Sequence, residues 1–119
     1  SMLEHSRMSA GEWQQTNANT LCDEYMRLAY HGLRAKDKSF NATLETDFDT
    51  NLPVVNMVPQ DIGRVLLNLF NNAFYAVQKR QQRATHALNA YAYQPTVAVK
   101  TQKLPNGRVE IRIRDNGLG

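Results

Sequence analysis

Two groups of polar residues in this sequence have the types and spacing that suit a binding site. The first is Asn68 and Asn72, which lie four residues apart and so share one face of a helix, with Asn71 beside them. Both fall within a predicted apolar stripe, where an amide without a partner costs about 1–3 kcal/mol. Two amides at such positions need a polar partner, so the spacing predicts that a polar ligand binds here.

The second group is the run Asp115-Asn116-Gly117-Leu118-Gly119, which follows a predicted strand. A carboxylate at a strand end can accept a hydrogen bond from an exocyclic amine. The glycines let the backbone come close to a flat ring. The run therefore suits a purine pocket, although Asp-Asn-Gly taken by itself indicates only a turn.

The asparagines lie on the element around which the predicted fold is organised, a helix over residues 60–80. Pro59 is a helix-start signal, and Asp61 puts a negative charge in the first turn. Apolar residues recur along it at three- and four-residue spacing and are predicted to face the core. They are Ile62, Val65, Leu66, Leu69, Ala73 and Ala76.

An earlier helix and a strand are also predicted. Thr16 or Asn17 can cap the helix. Its predicted apolar side comprises Leu21, Cys22, Tyr25, Leu28, Ala29 and Leu33. Alternation over residues 40–48 predicts the strand, and residues 51–59 read as a turn followed by a short extended piece.

The last third of the sequence predicts a β-hairpin. Residues 96–103 and 108–114 alternate in polarity, and the turn Pro105-Asn106-Gly107 joins them. Residues 81–95 read as an extension of the preceding helix and then a loop. Strands in one layer and helices in the other predict a two-layer α/β sandwich.

Composition excludes several classes of protein. The length of 119 residues suits one domain, and 42% apolar content is enough for a core. The formal charge of +3 comes from scattered basic residues, which argues against nucleic-acid binding. No apolar run is long enough to span a membrane. The single Cys22 cannot form an internal disulfide, and no histidine or cysteine has zinc-ligand spacing.

The two polar groups, in this order and separated by a hairpin, resemble a known family. NLFNNAFYAV looks like the N box, and DNGLG like the first glycine box, of the ATP-binding domain of sensor histidine kinases. That domain belongs to the GHKL superfamily with gyrase, mismatch-repair and chaperone ATPases. The resemblance implies a Bergerat-type ATP-binding fold, incomplete at its C-terminus. Residues 1–15 correspond to the end of the dimerisation and phosphoacceptor helix and a linker, and residues 16–119 to the N-terminal part of the ATP-binding domain.

The resemblance assigns roles to the asparagines. Asn72 is implied to bind, through its amide oxygen, the magnesium ion that bridges the ATP phosphates. Asn68 supports the same phosphate and magnesium cluster. In the ATP-hydrolysing relatives a glutamate that activates water stands at this position, and an amide cannot act as a general base. Asn68 therefore favours phosphoryl transfer to a protein nucleophile over hydrolysis.

The base-binding roles follow in the same way. Asp115 is implied to accept the adenine amine, Gly117 and Gly119 to shape the pocket, and Ala76 to lie under the base. The chain departs from the family at Tyr75, where many members have a lysine or arginine that meets phosphate. Lys79 or Arg80 could supply that charge from one turn further along the helix.

The activity implied is that of a protein histidine kinase. It binds Mg-ATP and transfers the γ-phosphate to a histidine outside this chain, for relay to a response regulator. The parent is expected to be a homodimer, with this part in the cytoplasm and no membrane or nucleic-acid contact. The family's lid and second glycine box come later, so the chain alone is predicted to be inactive as a kinase. His5 is not the acceptor, because Glu4 precedes it and Ser6 follows it, whereas the family has an acidic residue after the histidine.

Two other functions are compatible with the sequence. One is a non-catalytic nucleotide-binding or protein-interaction module of the same fold, which Tyr75 favours. The other is a structural α/β interaction domain in which the asparagines only satisfy buried backbone groups.

Overall fold

The computed structural model describes residues 12–84 and 93–118. The elements in chain order are β1 (Gln14–Thr16), α1 (Ala18–Lys36), β2 (Thr43–Asp47), β3 (Val55–Met57), α2 (Pro59–Ala84), β4 (Thr96–Lys103) and β5 (Val109–Asp115), with a 3-10 turn at Pro105–Gly107 between the last two strands. No helix in this described part is both long and apolar enough to cross a bilayer.

The strands form one three-stranded mixed sheet and one small two-stranded sheet. The larger sheet has the order β2-β4-β5, with β4 parallel to β2 and antiparallel to β5. The parallel pair needs a long crossover, and the chain between these strands contains α2. The α/β class predicted from the sequence is confirmed. The short strands β1 and β3 pair antiparallel to each other.

The core lies between the two helices and one face of the larger sheet. Phe40, Phe70 and Phe74 are fully buried, together with Val97 and Val99 of β4. The rings of Phe40 and Phe74 meet edge to face, with centroids 6.3 Å apart. Truncating one such phenylalanine to alanine typically costs about 3–5 kcal/mol, so these rings hold helices and sheet together.

Helix α1 begins where its cap was predicted. The Asn17 side chain accepts hydrogen bonds from the backbone N–H groups of Asn19 (2.9 Å) and Thr20 (3.2 Å). The predicted apolar side is confirmed except at Leu28, whose side chain is 56% exposed. Met26, which the prediction omitted, is buried in the core instead.

Helix α2 begins at Pro59 as predicted and extends to Ala84. The predicted core-facing stripe is wrong in part, because Val65 is 54% and Leu69 is 47% exposed. The residues buried on this helix are Gly63, Leu66, Phe70, Ala73, Phe74 and Val77. Several stripes at three- and four-residue spacing can be drawn through so apolar a helix, and the one with both phenylalanines became the core face.

The hairpin forms as predicted. Asn106 (φ 70°) and Gly107 (φ 76°) both adopt left-handed conformations, which these two residue types tolerate best. The Leu104 N–H donates to the Arg108 carbonyl across the turn at 2.8 Å. The register of the two strands puts Val97 and Val99 on the buried face of the sheet.

Two extended segments differ from expectation. The predicted strand over residues 40–48 is shorter in the structure and spans Thr43–Asp47. Phe40 lies outside the strand because its side chain is buried in the core. Strand β1 was not predicted at all. It pairs Gln14 with Met57 and Gln15 with Asn56. The β1 residues are polar and do not alternate with apolar residues, so they give no local strand signal.

Candidate functional site

The segment that carries the second polar group packs against the helix that carries the first. The segment after β5, called here the 115–118 loop (Asp115, Asn116, Gly117 and Leu118), turns onto the surface of α2. The Leu118 N–H donates to the Ala76 carbonyl at 3.2 Å. Ala76 lies one helical turn after Asn72. The acidic loop therefore docks directly beside the asparagine helix.

Close packing of the loop against α2 requires a glycine at position 117. A Cβ atom at this position would overlap the backbone of Ala76 and Val77. Backbone atoms of a helix cannot move aside at low cost, so only a residue without a side chain lets the loop lie this close. The close approach at Gly117 is thus to the protein's own helix, at the point where Ala76 is half-buried.

Asp115 presents its carboxylate at the surface. Its Oδ1 accepts a hydrogen bond from the Gly117 N–H at 2.9 Å, which closes a tight turn. Among residues 12–84 and 93–118, no hydrogen-bond donor contacts Oδ2. A carboxylate oxygen in this position can accept from an external N–H donor, as the sequence predicts for an adenine amine.

Asn116 ties the loop to the start of β4. Its Oδ1 accepts from the Thr96 N–H (2.9 Å) and the Tyr93 hydroxyl (3.2 Å), and its Nδ2 donates to the Gln94 carbonyl (2.8 Å). Burial raises the pKa of the Tyr93 phenol above 10.0, the nearby Arg80 guanidinium opposes this, and the Asp115 carboxylate adds to it. Asn116 therefore connects the loop that follows β5 to the segment that enters β4.

Arg80 reaches the same loop from the helix. Its Nη1 donates to the Asn116 carbonyl at 2.6 Å, and its guanidinium carbon lies 4.2 Å from the centroid of the Tyr93 ring. Neither Arg80 nor Tyr93 was assigned to the loop from sequence. Arg80 lies 36 residues from its partner, and no local pattern predicts such a contact.

The asparagines lie where a ligand can reach them, but the prediction that they belong to a buried stripe was wrong. Asn68, Asn71 and Asn72 are all exposed. The prediction placed them in the buried stripe because it counted Val65 and Leu69 as core, and both of those side chains face solvent. No desolvation cost therefore demands a partner for these amides. Their exposure leaves them free to contact a ligand bound beside the loop.

A groove runs between α1 and α2 next to Asn72. Its volume is about 680 Å³. It is lined by Leu28, Ala29, Gly32, Leu33, Lys36, Leu67, Asn71, Asn72, Phe74 and Tyr75. The Tyr75 side chain is 57% exposed, and the Lys79 ammonium lies 5.2 Å from its ring centroid. Position 75, where the resemblance implies a lysine or arginine, thus carries a tyrosine with a lysine held over its ring.

Some predicted residues lie outside the described ranges. These are Gly119 of the glycine run and the rejected acceptor His5. No cluster of three or more histidine, cysteine, aspartate or glutamate side chains able to hold a metal is present in the part of the chain that the structure describes.

Comparison with models of known protein families gave no match for this sequence. Comparison with curated proteins gave none either.

Proposed function

We propose that this chain binds Mg-ATP and forms the ATP-binding part of a protein histidine kinase with a Bergerat-type fold. The observation that carries the proposal is the hydrogen bond between the Leu118 N–H and the Ala76 carbonyl. It brings the acidic glycine run against the helical turn that follows Asn72, and the resemblance rests on these two motifs. Neither motif alone has this specificity.

The base and phosphate ends of the ligand would meet different residues. Asp115 accepts the adenine amine through Oδ2, since Oδ1 is already bonded to the Gly117 N–H. Ala76, half-buried beside the loop, lies under the base. Gly117 holds the loop against the helix. Gly119, outside the described residues, keeps the pocket role that the resemblance implies.

The phosphate end involves the two asparagines. Magnesium takes oxygen ligands and keeps several waters, so it needs few protein groups. The exposed Asn72 amide fits such a site by supplying one oxygen. Asn68, one helical turn before Asn72, orients the phosphates. When bound, the ion neutralises charge on the transferring phosphoryl group.

The kinase assignment rests on Asn68. Its amide cannot take a proton from water, so it does not promote hydrolysis. The γ-phosphate instead goes to a histidine outside this chain and then to a response regulator. The parent protein is a sensor that acts as a homodimer, and this chain belongs to its cytoplasmic portion.

The test is a titration with a fluorescent ATP analogue, with and without magnesium, on the wild type and on Asp115→Ala. Magnesium-dependent binding that this substitution abolishes supports the proposal. Asp47→Ala is the matched control, because Asp47 is also an exposed aspartate at the last position of a strand. Equal binding by the wild type and Asp115→Ala, or no binding by either, would rule out the proposed function.

A second candidate is a nucleotide-binding module without kinase activity. Tyr75 and the Lys79 ammonium over its ring favour it, because a lysine used in this way is drawn away from a phosphate. Incubation of the full-length protein with ATP and a histidine-containing acceptor helix separates the two. Phosphohistidine formation supports the kinase, and ATP binding without transfer supports the module.

A further inference from the structure

The side chain of Asn116 fixes the 115–118 loop to the chain that enters β4. It accepts from Thr96 N–H and Tyr93 hydroxyl and donates to the Gln94 carbonyl. The Asn116 N–H also donates to the Thr96 carbonyl at 3.3 Å. Hydrogen bonds in several directions at one residue determine the orientation of the peptide groups on both of its sides.

Arg80 fixes the same residue from α2. Its guanidinium donates to the Asn116 carbonyl at 2.6 Å and stacks over the Tyr93 ring. A hydrogen bond from a charged donor is about twice as strong as a neutral one. Arg80, Tyr93 and Asn116 thus form a connected assembly, called here the loop clamp, that links α2, the start of β4 and the loop.

The loop clamp determines where the Asp115 carboxylate lies. Asp115 precedes Asn116 in the chain, and its Oδ1 is held by the Gly117 N–H that follows Asn116. Rotation of either peptide group of Asn116 moves that N–H and releases the carboxylate. We propose that Arg80, Tyr93 and Asn116 are positioning residues for Asp115 and determine the preference for adenine over a purine that lacks the exocyclic amine. This inference rests on the proposed nucleotide function.

The loop clamp is separate from the hydrophobic core. Asn116 and Arg80 are exposed, whereas Val77 and Val97, on the helix and strand that the clamp joins, are fully buried. Loss of the clamp therefore leaves the core contacts in place and changes mainly the order of the loop. Its effect should appear in ligand discrimination and loop dynamics, and any loss of global stability should be limited to the hydrogen bonds of the loop.

The experiment compares magnesium-dependent binding of ATP and inosine triphosphate, which has no exocyclic amine. A site that hydrogen-bonds a substrate amine rejects the analogue without it. We expect the wild type to prefer ATP about tenfold, the value of one such bond. Asn116→Ala and Arg80→Gln should bring the ratio close to one. Arg83→Gln, the same change on an exposed arginine three residues along α2, should keep it.

Backbone amide hydrogen exchange of the nucleotide-free chain gives a second readout. Exchange of the Gly117 and Leu118 N–H groups should become about tenfold faster in Asn116→Ala and Arg80→Gln, as expected for the loss of about one hydrogen bond. Tyr93→Phe removes only the hydroxyl bond to Asn116 and keeps the ring under Arg80. It should lower the ATP preference by a smaller factor, and it keeps the test decisive if Asn116→Ala does not fold.

The outcomes separate the two proposals. A wild type that binds neither nucleotide overturns the proposed function. A wild type that prefers ATP, with variants that weaken both nucleotides equally and leave the ratio unchanged, overturns the positioning role and keeps the function. Unchanged exchange at Gly117 and Leu118 in both variants also overturns the positioning role.

Discussion

Gly117→Ala tests the docking of the loop on α2 directly. The added Cβ would overlap backbone atoms of Ala76 and Val77, so the loop must leave the helix surface. Two hydrogen bonds are then lost, from the Leu118 N–H to Ala76 and from Arg80 to the loop carbonyl. A neutral hydrogen bond contributes about 0.5–1.5 kcal/mol and a charged one about 1.5–3 kcal/mol.

The expected loss in the free energy of unfolding is therefore about 2–4 kcal/mol, measured by urea denaturation. This is an upper value, since water replaces part of each bond at the exposed loop. The Leu118 amide should also lose its protection from hydrogen exchange. Gly32→Ala is the matched control, because apart from the neighbouring backbone of α1 itself nothing lies within 4 Å of its Cβ position. It should stabilise the chain by about 0.5–1 kcal/mol. A Gly117→Ala variant that is as stable as the wild type and keeps the protection of the Leu118 amide would show that the loop does not depend on a glycine here.

Three further predictions concern the buried and titratable groups. Thr101→Val removes the hydroxyl that donates to Asn19 (2.6 Å) and accepts from the Asp49 N–H (3.0 Å), so chemical denaturation should show a loss of about 1–3 kcal/mol. Hydrogen bonds from the Lys103 N–H first, and then from other groups, lower the pKa of Asp49 below 3.8. Its stabilisation is therefore fully present above pH 3.8 and lost as pH falls through the folded-state pKa, and the difference in unfolding free energy between wild type and Asp49→Ala should shrink over that range. Burial raises the pKa of the Cys22 thiol to about 11, so iodoacetamide at about pH 8 should label it only after denaturant unfolds the chain, and rapid labelling of the native chain would contradict its burial.

Local signals predicted the parts of the fold that depend on neighbours in sequence. The Asn17 cap, the start of α2 at Pro59 and the Asn106-Gly107 turn each follow from the conformational preferences of one or two residues. Such signals act within a few residues, and no distant contact needs to be known. The β1–β3 pair depends on distant partners, and no local pattern over Gln14–Thr16 predicts it.

The face of α2 was harder to predict because the helix is apolar on more than one side. Val65 and Leu69 have the same spacing as the residues that are buried, and only tertiary packing distinguishes them. The docking of the 115–118 loop on α2 beside Ala76 had no local sequence signal. Arg80 and its bond to Asn116 had no sequence signal, since the side chain reaches across 36 residues.

Titration of the isotope-labelled chain with Mg-ATP, followed by nuclear magnetic resonance, tests whether the 115–118 loop and α2 form one nucleotide site. If they do, the side-chain amide of Asn72 and the backbone amides of Gly117 and Leu118 shift together with a single dissociation constant. The amides of the hairpin turn at Asn106 and Gly107, at the opposite end of β5, should not shift. Shifts confined to other residues, or none at millimolar nucleotide with the fold intact, would contradict the claim that the loop and the asparagine helix form one nucleotide site.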